Sequence, residues 1–91
     1  MEREKMPEIS RFLGIVIRMY PNEHNPPHFH AIYNEFEAQF SIDPLEIIEG
    51  KLPPRIHGIV IEWASIHQEA LLQNWKNLRN KRPSKKIKPL V

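Results

Sequence analysis

His28-Phe29-His30-Ala31-Ile32-Tyr33-Asn34-Glu35-Phe36-Glu37-Ala38-Gln39-Phe40-Ser41-Ile42 reads as two strands joined by a tight turn. Apolar side chains alternate on both sides of Asn34-Glu35, and alternation with period two marks a strand with one buried face. A two-residue turn at Asn34-Glu35 pairs Tyr33 with Phe36, Ala31 with Ala38 and Phe29 with Phe40. All six then share one face, and a slip of one residue would send half of them to the other side. Asn34 tolerates the positive φ that such a turn requires, whereas Glu35 is a less usual partner. The same register turns His28, His30 and Ile32 to the opposite face, beside Ser41, Gln39 and Glu37. Both histidines therefore leave the hydrophobic core together.

Before the hairpin, Pro21 to Pro27 is a loop with three prolines, two asparagines and no periodicity. Pro26 and Pro27 donate no backbone hydrogen bonds, so strand pairing begins at His28. Further back, residues 12–20 alternate with Leu13, Ile15, Ile17 and Met19 on one side, which predicts a single strand. Residues 1–9 read as a frayed lead-in. After the hairpin, Leu45–Glu49 predicts a short fourth strand or extended arm. The tandem Pro53-Pro54 suits the first turn of a helix. A helix over 54–78 follows, with Ile56, Val60, Trp63, His67, Leu71 and Leu78 on one stripe. Ile61, Leu72 and Trp75 widen that stripe beyond what one sheet face needs, which calls for deep embedding or a second chain. The expected fold is α+β: a small antiparallel sheet of three to four strands packed on one long C-terminal helix. Residues 1–78 form the single domain, and 79–91 a basic, disordered, flexible tail.

Ninety-one residues make one domain with a thin stability margin. The chain has no cysteine, so disulfides and thiolate ligands are unavailable, which suits a reducing cytosol. No signal peptide or transmembrane run is visible, and the expectation is a soluble cytoplasmic protein. The net charge of +2 hides an asymmetry. Residues 76–91 carry Lys76, Arg79, Lys81, Arg82, Lys85, Lys86 and Lys88 and no acid. The remaining chain has six basic and eleven acidic residues, a net charge of −5. No internal repeat, glycine-rich phosphate loop or nucleophile elbow is present.

The chemistry concentrates in the loop and the strand that follows. Neutral imidazole ligates Zn, Ni and Fe, and two histidines at i and i+2 of a strand point the same way. His24, His28 and His30 form the candidate metal set, with His24 folding back from the loop beside Glu23. The plainer alternative is that these histidines bond backbone carbonyls or line a polar groove. A second possibility is acid–base chemistry without metal. His28 and His30, next to Arg18 and Tyr20, have the residue types for ribonuclease action, one imidazole as base, the other as acid, with arginine on the phosphorane. The plainer alternative is that Arg18 pairs with a carboxylate of the acidic body. The seven basic residues of 76–91 would attract nucleic-acid phosphate with little sequence preference. They lack interleaved aromatics for base stacking, and a solvated tail is the alternative. His67 on the apolar stripe reads as a core residue, His57 as exposed. Trp63 and Trp75 read as core or dimer interface.

Several stretches carry a family resemblance. Ile9-Ser10-Arg11-Phe12, Gly14-Ile15-Val16-Ile17-Arg18-Met19-Tyr20 and Glu23-His24-Asn25-Pro26-Pro27-His28-Phe29-His30-Ala31 resemble the signature of a family of small bacterial proteins. Ile48-Glu49-Gly50-Lys51-Leu52-Pro53 and Glu62-Trp63-Ala64 fit it too. The likeness covers most of residues 6–76. That family is catalogued as a domain of unknown function, so the resemblance implies no catalytic residues. It does imply an association with toxin–antitoxin-like gene pairs. The expected function is accordingly a binding module in such a pair, contacting a partner protein or a second copy of itself, with nucleic acid as a further partner and no membrane. The alternative is a histidine-based ribonuclease or a small metal-dependent protein.

Overall fold

Five strands, β1 (Glu8–Phe12), β2 (Ile15–Arg18), β3 (His28–Tyr33), β4 (Phe36–Ile42) and β5 (Leu45–Gly50), make one antiparallel sheet in chain order. Two helices follow, α1 (Pro54–Ile66) and α2 (Gln68–Arg79). This is a computed structural model, and it describes residues 7–91. The β3–β4 hairpin has the expected register: Tyr33 faces Phe36, Ala31 faces Ala38 and Phe29 faces Phe40. Asn34 takes a φ of +53°. Phe29 and Phe40 stack with ring centroids 5.4 Å apart, and Trp63 of α1 meets Phe29 edge-on at 6.1 Å. The core is therefore built between α1 and one face of the hairpin.

Three expectations about the fold need correction. The first concerns the sheet, which has five strands rather than three or four. The run 12–20 is not one strand. Leu13 and Gly14 both take positive φ, +52° and +79°, and form a two-residue turn that pairs Phe12 with Ile15. Such a turn matches the natural twist of two strands and needs positive φ at both central positions. Gly14 supplies that freedom, and Leu13 is left 55% exposed at the tip. The alternation had counted Leu13 as core. The extra strand comes from residues assigned to the lead-in, whose first six lie outside the described residues.

The second correction is the helix. A straight helix from 54 to 79 would be about 39 Å long, longer than the largest dimension of the molecule, 34 Å. It would overhang the sheet. The chain breaks instead at His67, whose φ of −114° and ψ of 26° leave the helical region. Gln68 pins the restart, its Nε2 donating to the Ile42 carbonyl at 2.6 Å. The half-buried His67 ring lies 5.5 Å from Trp63. Both helices keep their apolar stripes inward, with Ile56, Val60, Trp63 and Ala64 buried in one and Leu71, Asn74, Trp75 and Leu78 in the other.

The third is the tail. Lys81, at φ +60°, closes α2 with a Schellman motif: its N–H donates to Leu78 O, and that of Arg82 donates to Asn77 O. The buried Asn74 side chain then grips Lys85 at both ends. Its Nδ2 donates to the Lys85 carbonyl and its Oδ1 accepts the Lys85 N–H, each at 2.8 Å. Ile87 N–H donates to Ile9 O at 2.8 Å, along the outer edge of β1. Trp63 Nε1 donates to Lys88 O at 2.9 Å. Ile87 is buried and Leu90 packs against the same core. Residues 81–91 are thus an ordered strap, held by Asn74 and Trp63 of the helices and by the edge of β1.

Candidate metal centre

His28 and His30 point away from the Phe29 side of β3, as the register demands, but that face is not bare where they stand. They are only 6% and 4% exposed. The loop 20–27 folds back over them and is held at its ends by Met19 N–H on Pro7 O and Ile42 N–H on Pro27 O. Its Asn25–Pro26 peptide is cis. The fold-back brings Glu23 onto both rings. Glu23 Oε1 lies 2.7 Å from His28 Nε2 and 2.8 Å from His30 Nε2. The other nitrogens are also engaged: His28 Nδ1–H donates to Pro26 O at 2.7 Å, and His30 Nδ1 lies 2.9 Å from Glu37 Oε2. Tyr20 packs against His30 with centroids 4.3 Å apart, and Trp75 against His28 at 5.1 Å. Burial first, and the Glu37 carboxylate second, hold the Tyr20 phenol above its ordinary pKa, so it keeps its proton at neutral pH.

All four ring nitrogens face oxygens that only accept when the carboxylates are ionised. With both Nδ1 atoms engaged elsewhere, the two Nε2 atoms both meet Glu23 Oε1. Glu23, His28 and His30 each offer a ligand atom, all within 4.8 Å of one another. The Nδ1 contacts, one to a backbone carbonyl and one to a carboxylate, are the outer partners that ligating histidines usually have.

Beside this cluster opens a hollow of about 320 Å³, whose walls include Glu23, His24, His28, Gln39 and Ile48. His24, one of the three expected ligands, is exposed at this rim and outside the cluster. Arg18 stands opposite His30 in the β2–β3 register, and its Nη2 is 4.0 Å from Glu8 Oε1. Lys76, Arg79, Lys81, Arg82, Lys85, Lys86 and Lys88 are all exposed on α2 and the strap. Arg79 comes nearest the cluster, lying over the Trp75 ring at 5.6 Å and donating to Glu23 O at 3.5 Å. His57 packs edge-on against Phe40 at 5.2 Å and is half-buried rather than exposed. Glu37 and Trp75 were absent from the sequence-derived site. The hairpin register had already placed Glu37 beside the histidines, whereas nothing local in the sequence places Trp75 there.

The sequence profile of a family described as a domain of unknown function, DUF4160, matches residues 14–76. That is more than half of the chain. The chain belongs to the DUF4160 family. The DUF4160 match spans Glu23, His28, His30, Glu37 and Trp75, so every residue of the cluster lies inside it. It stops short of β1 and of the strap. No curated protein and no solved structure matches. Among the described residues, no helix is long and apolar enough to cross a membrane.

Proposed function

We propose that this DUF4160 domain is a small metal-dependent protein in which Glu23 Oε1, His28 Nε2 and His30 Nε2 hold one divalent transition-metal ion. The observation that carries the reading is that one carboxylate oxygen, Glu23 Oε1, is shared by two buried imidazole nitrogens, His28 Nε2 and His30 Nε2, whose Nδ1 atoms both have other oxygen partners. An ion bound by these three atoms leaves both Nδ1 contacts intact. Zn(II), Fe(II) and Ni(II) all accept imidazole and carboxylate ligands. Two histidines and one carboxylate leave further positions for water or substrate, and Glu23 and His28 also line the hollow. An ion held there would polarise a bound water or a substrate oxygen.

The test is elemental analysis of untagged protein purified without chelator, with Glu23→Gln and His28→Ala/His30→Ala beside it. Near-stoichiometric metal in the parent, lost in both variants, is the expected result. Protein that carries no metal and takes up none of Fe(II), Ni(II) or Zn(II) by calorimetry would sink the reading. Glu23→Gln keeps the size of the side chain, so it separates lost ligation from lost folding.

A second reading is a cytoplasmic binding module in a toxin–antitoxin-like pair. What favours it is β5, an edge strand whose Ile48 is 43% exposed. Strand addition at such an edge is a common mode of peptide capture. Co-expression with the neighbouring small protein and light scattering of the product distinguish a heterodimer, a homodimer and a monomer.

A further inference from the structure

The strap and the loop enclose a second and larger depression, about 710 Å³, which shares Asn22 with the first. Its cations are Arg79, Lys81, Arg82 and Lys86, with Ser84 between them. Among the described residues, Glu8 is the one acid in its walls, and it is already committed. It bonds Arg11 at 2.8 Å and lies 3.9 Å from Lys86. Among the described residues, no carboxylate lies within ion-pair distance of Lys81 or Arg82. The depression therefore presents an excess of positive charge on an otherwise acidic body.

Two features set it apart from a solvated basic tail. First, the backbone bearing these charges is fixed, by the Schellman turn at Lys81 and by the Asn74 clamp on Lys85. Cations on a fixed backbone lose less entropy on binding than cations on a free one. Second, they are strung out along the chain. Lys81 and Lys86 stand five positions apart, a reach of up to about 17 Å, more than one phosphate group needs. Spaced cations on an ordered strap match a linear polyanion.

We infer that this depression binds the phosphodiester backbone of single-stranded nucleic acid. Recognition is through phosphate, because the walls hold no exposed aromatic ring on which a base could stack. Asn22 belongs to the walls of both depressions. A strand leaving the basic groove past Asn22 thus arrives at the rim beside Glu23 and His24. That last step rests on the metal reading; the binding does not.

The experiment measures fluorescence anisotropy of short labelled oligo-U and oligo-dT on the full chain across a salt series. The variants are Lys81→Gly/Arg82→Gln and, as control, Lys51→Gln/Arg55→Gln, which removes two exposed cations outside the depression. Glycine is the residue best suited to the positive φ at 81, so the charge is removed without straining the turn. Expected are binding to the parent that weakens with salt, at least tenfold weaker binding by the double variant, and a log–log salt slope smaller by about 1.4, roughly 0.7 for each lost cation. Lys51→Gln/Arg55→Gln should bind as the parent does, which ties the loss to the depression and not to net charge; neither variant touches the cluster, so the result stands whether or not it holds metal. No binding at low salt overturns the inference. So does binding that the double variant leaves unchanged, or a preference for anionic phospholipid vesicles over both oligonucleotides.

Discussion

At Glu23 a single carboxylate oxygen serves two imidazoles, and the site depends on that sharing. The histidines were legible in the sequence, because two residues apart on a strand means one side. Their partner was not, because Glu23 reaches them through a proline-rich loop whose path no periodicity describes. His24, its neighbour, has the more metal-like side chain but points outward. The outer partners matter as well. Glu37 fixes the tautomer of His30 by accepting its Nδ1–H. The Glu37 side chain is 51% exposed, so changing it leaves folding largely intact. Glu37→Gln is expected to lower metal affinity about 10–100-fold, as lost outer partners typically do. Competition titration against a chromophoric chelator reads this directly. An affinity equal to the parent's would show that His30 needs no such orientation.

Among the elements, the hairpins and the helices differ in how far local sequence decides them. The β3–β4 register follows from side-chain alternation alone. The β1–β2 hairpin was hidden because Leu13 continues an apolar alternation while its backbone turns. The helix break has no glycine or proline to announce it. It is set by the length of the sheet that the helices must cover, a tertiary constraint that no window of sequence contains. The strap was misread for a related reason. Its composition is that of a disordered tail, yet Asn74, Trp63 and the edge of β1 satisfy its backbone from a distance. Asn74 is the decisive side chain there. Asn74→Ala leaves the Lys85 N–H and C=O without their partner and is expected to cost about 2 kcal/mol. The strap is rich in lysine, so limited trypsin digestion is a sensitive probe. Cleavage at Lys85 and Lys86 should quicken in the variant well before the core is cut. Equal cleavage rates would mean that Ile87 and Trp63 hold the strap unaided.

For the molecule as a whole, charge is divided between an acidic body and a basic strap, and Glu8 is where the two are joined. Its carboxylate bonds Arg11 and lies within 4.0 Å of Arg18 and Lys86. The Arg11 hydrogen bond is the chief reason its pKa falls below the ordinary value, with partial burial opposing. A carboxyl depressed on folding adds stability above its unfolded pKa and loses it as pH falls through the folded value. Glu8→Gln should therefore be less stable than the parent by a constant margin at neutral pH. That margin should shrink as the medium is acidified through the carboxylate range. Denaturant unfolding at a series of pH values tests it, and a margin independent of pH would assign the loss to packing instead.

The bond from Ile87 to Ile9 joins residues far apart in the chain, whereas each pair of neighbouring strands joins residues close together. Local contacts form early in folding and distant ones late. During synthesis the sheet can assemble while the strap is still inside the ribosome. For that interval β1 presents an open row of backbone donors and acceptors, the kind of edge to which another nascent chain adds. The strap, made after the sheet it covers, is thus a built-in guard against aggregation, and a chain released before Ile87 would have its sheet without that protection.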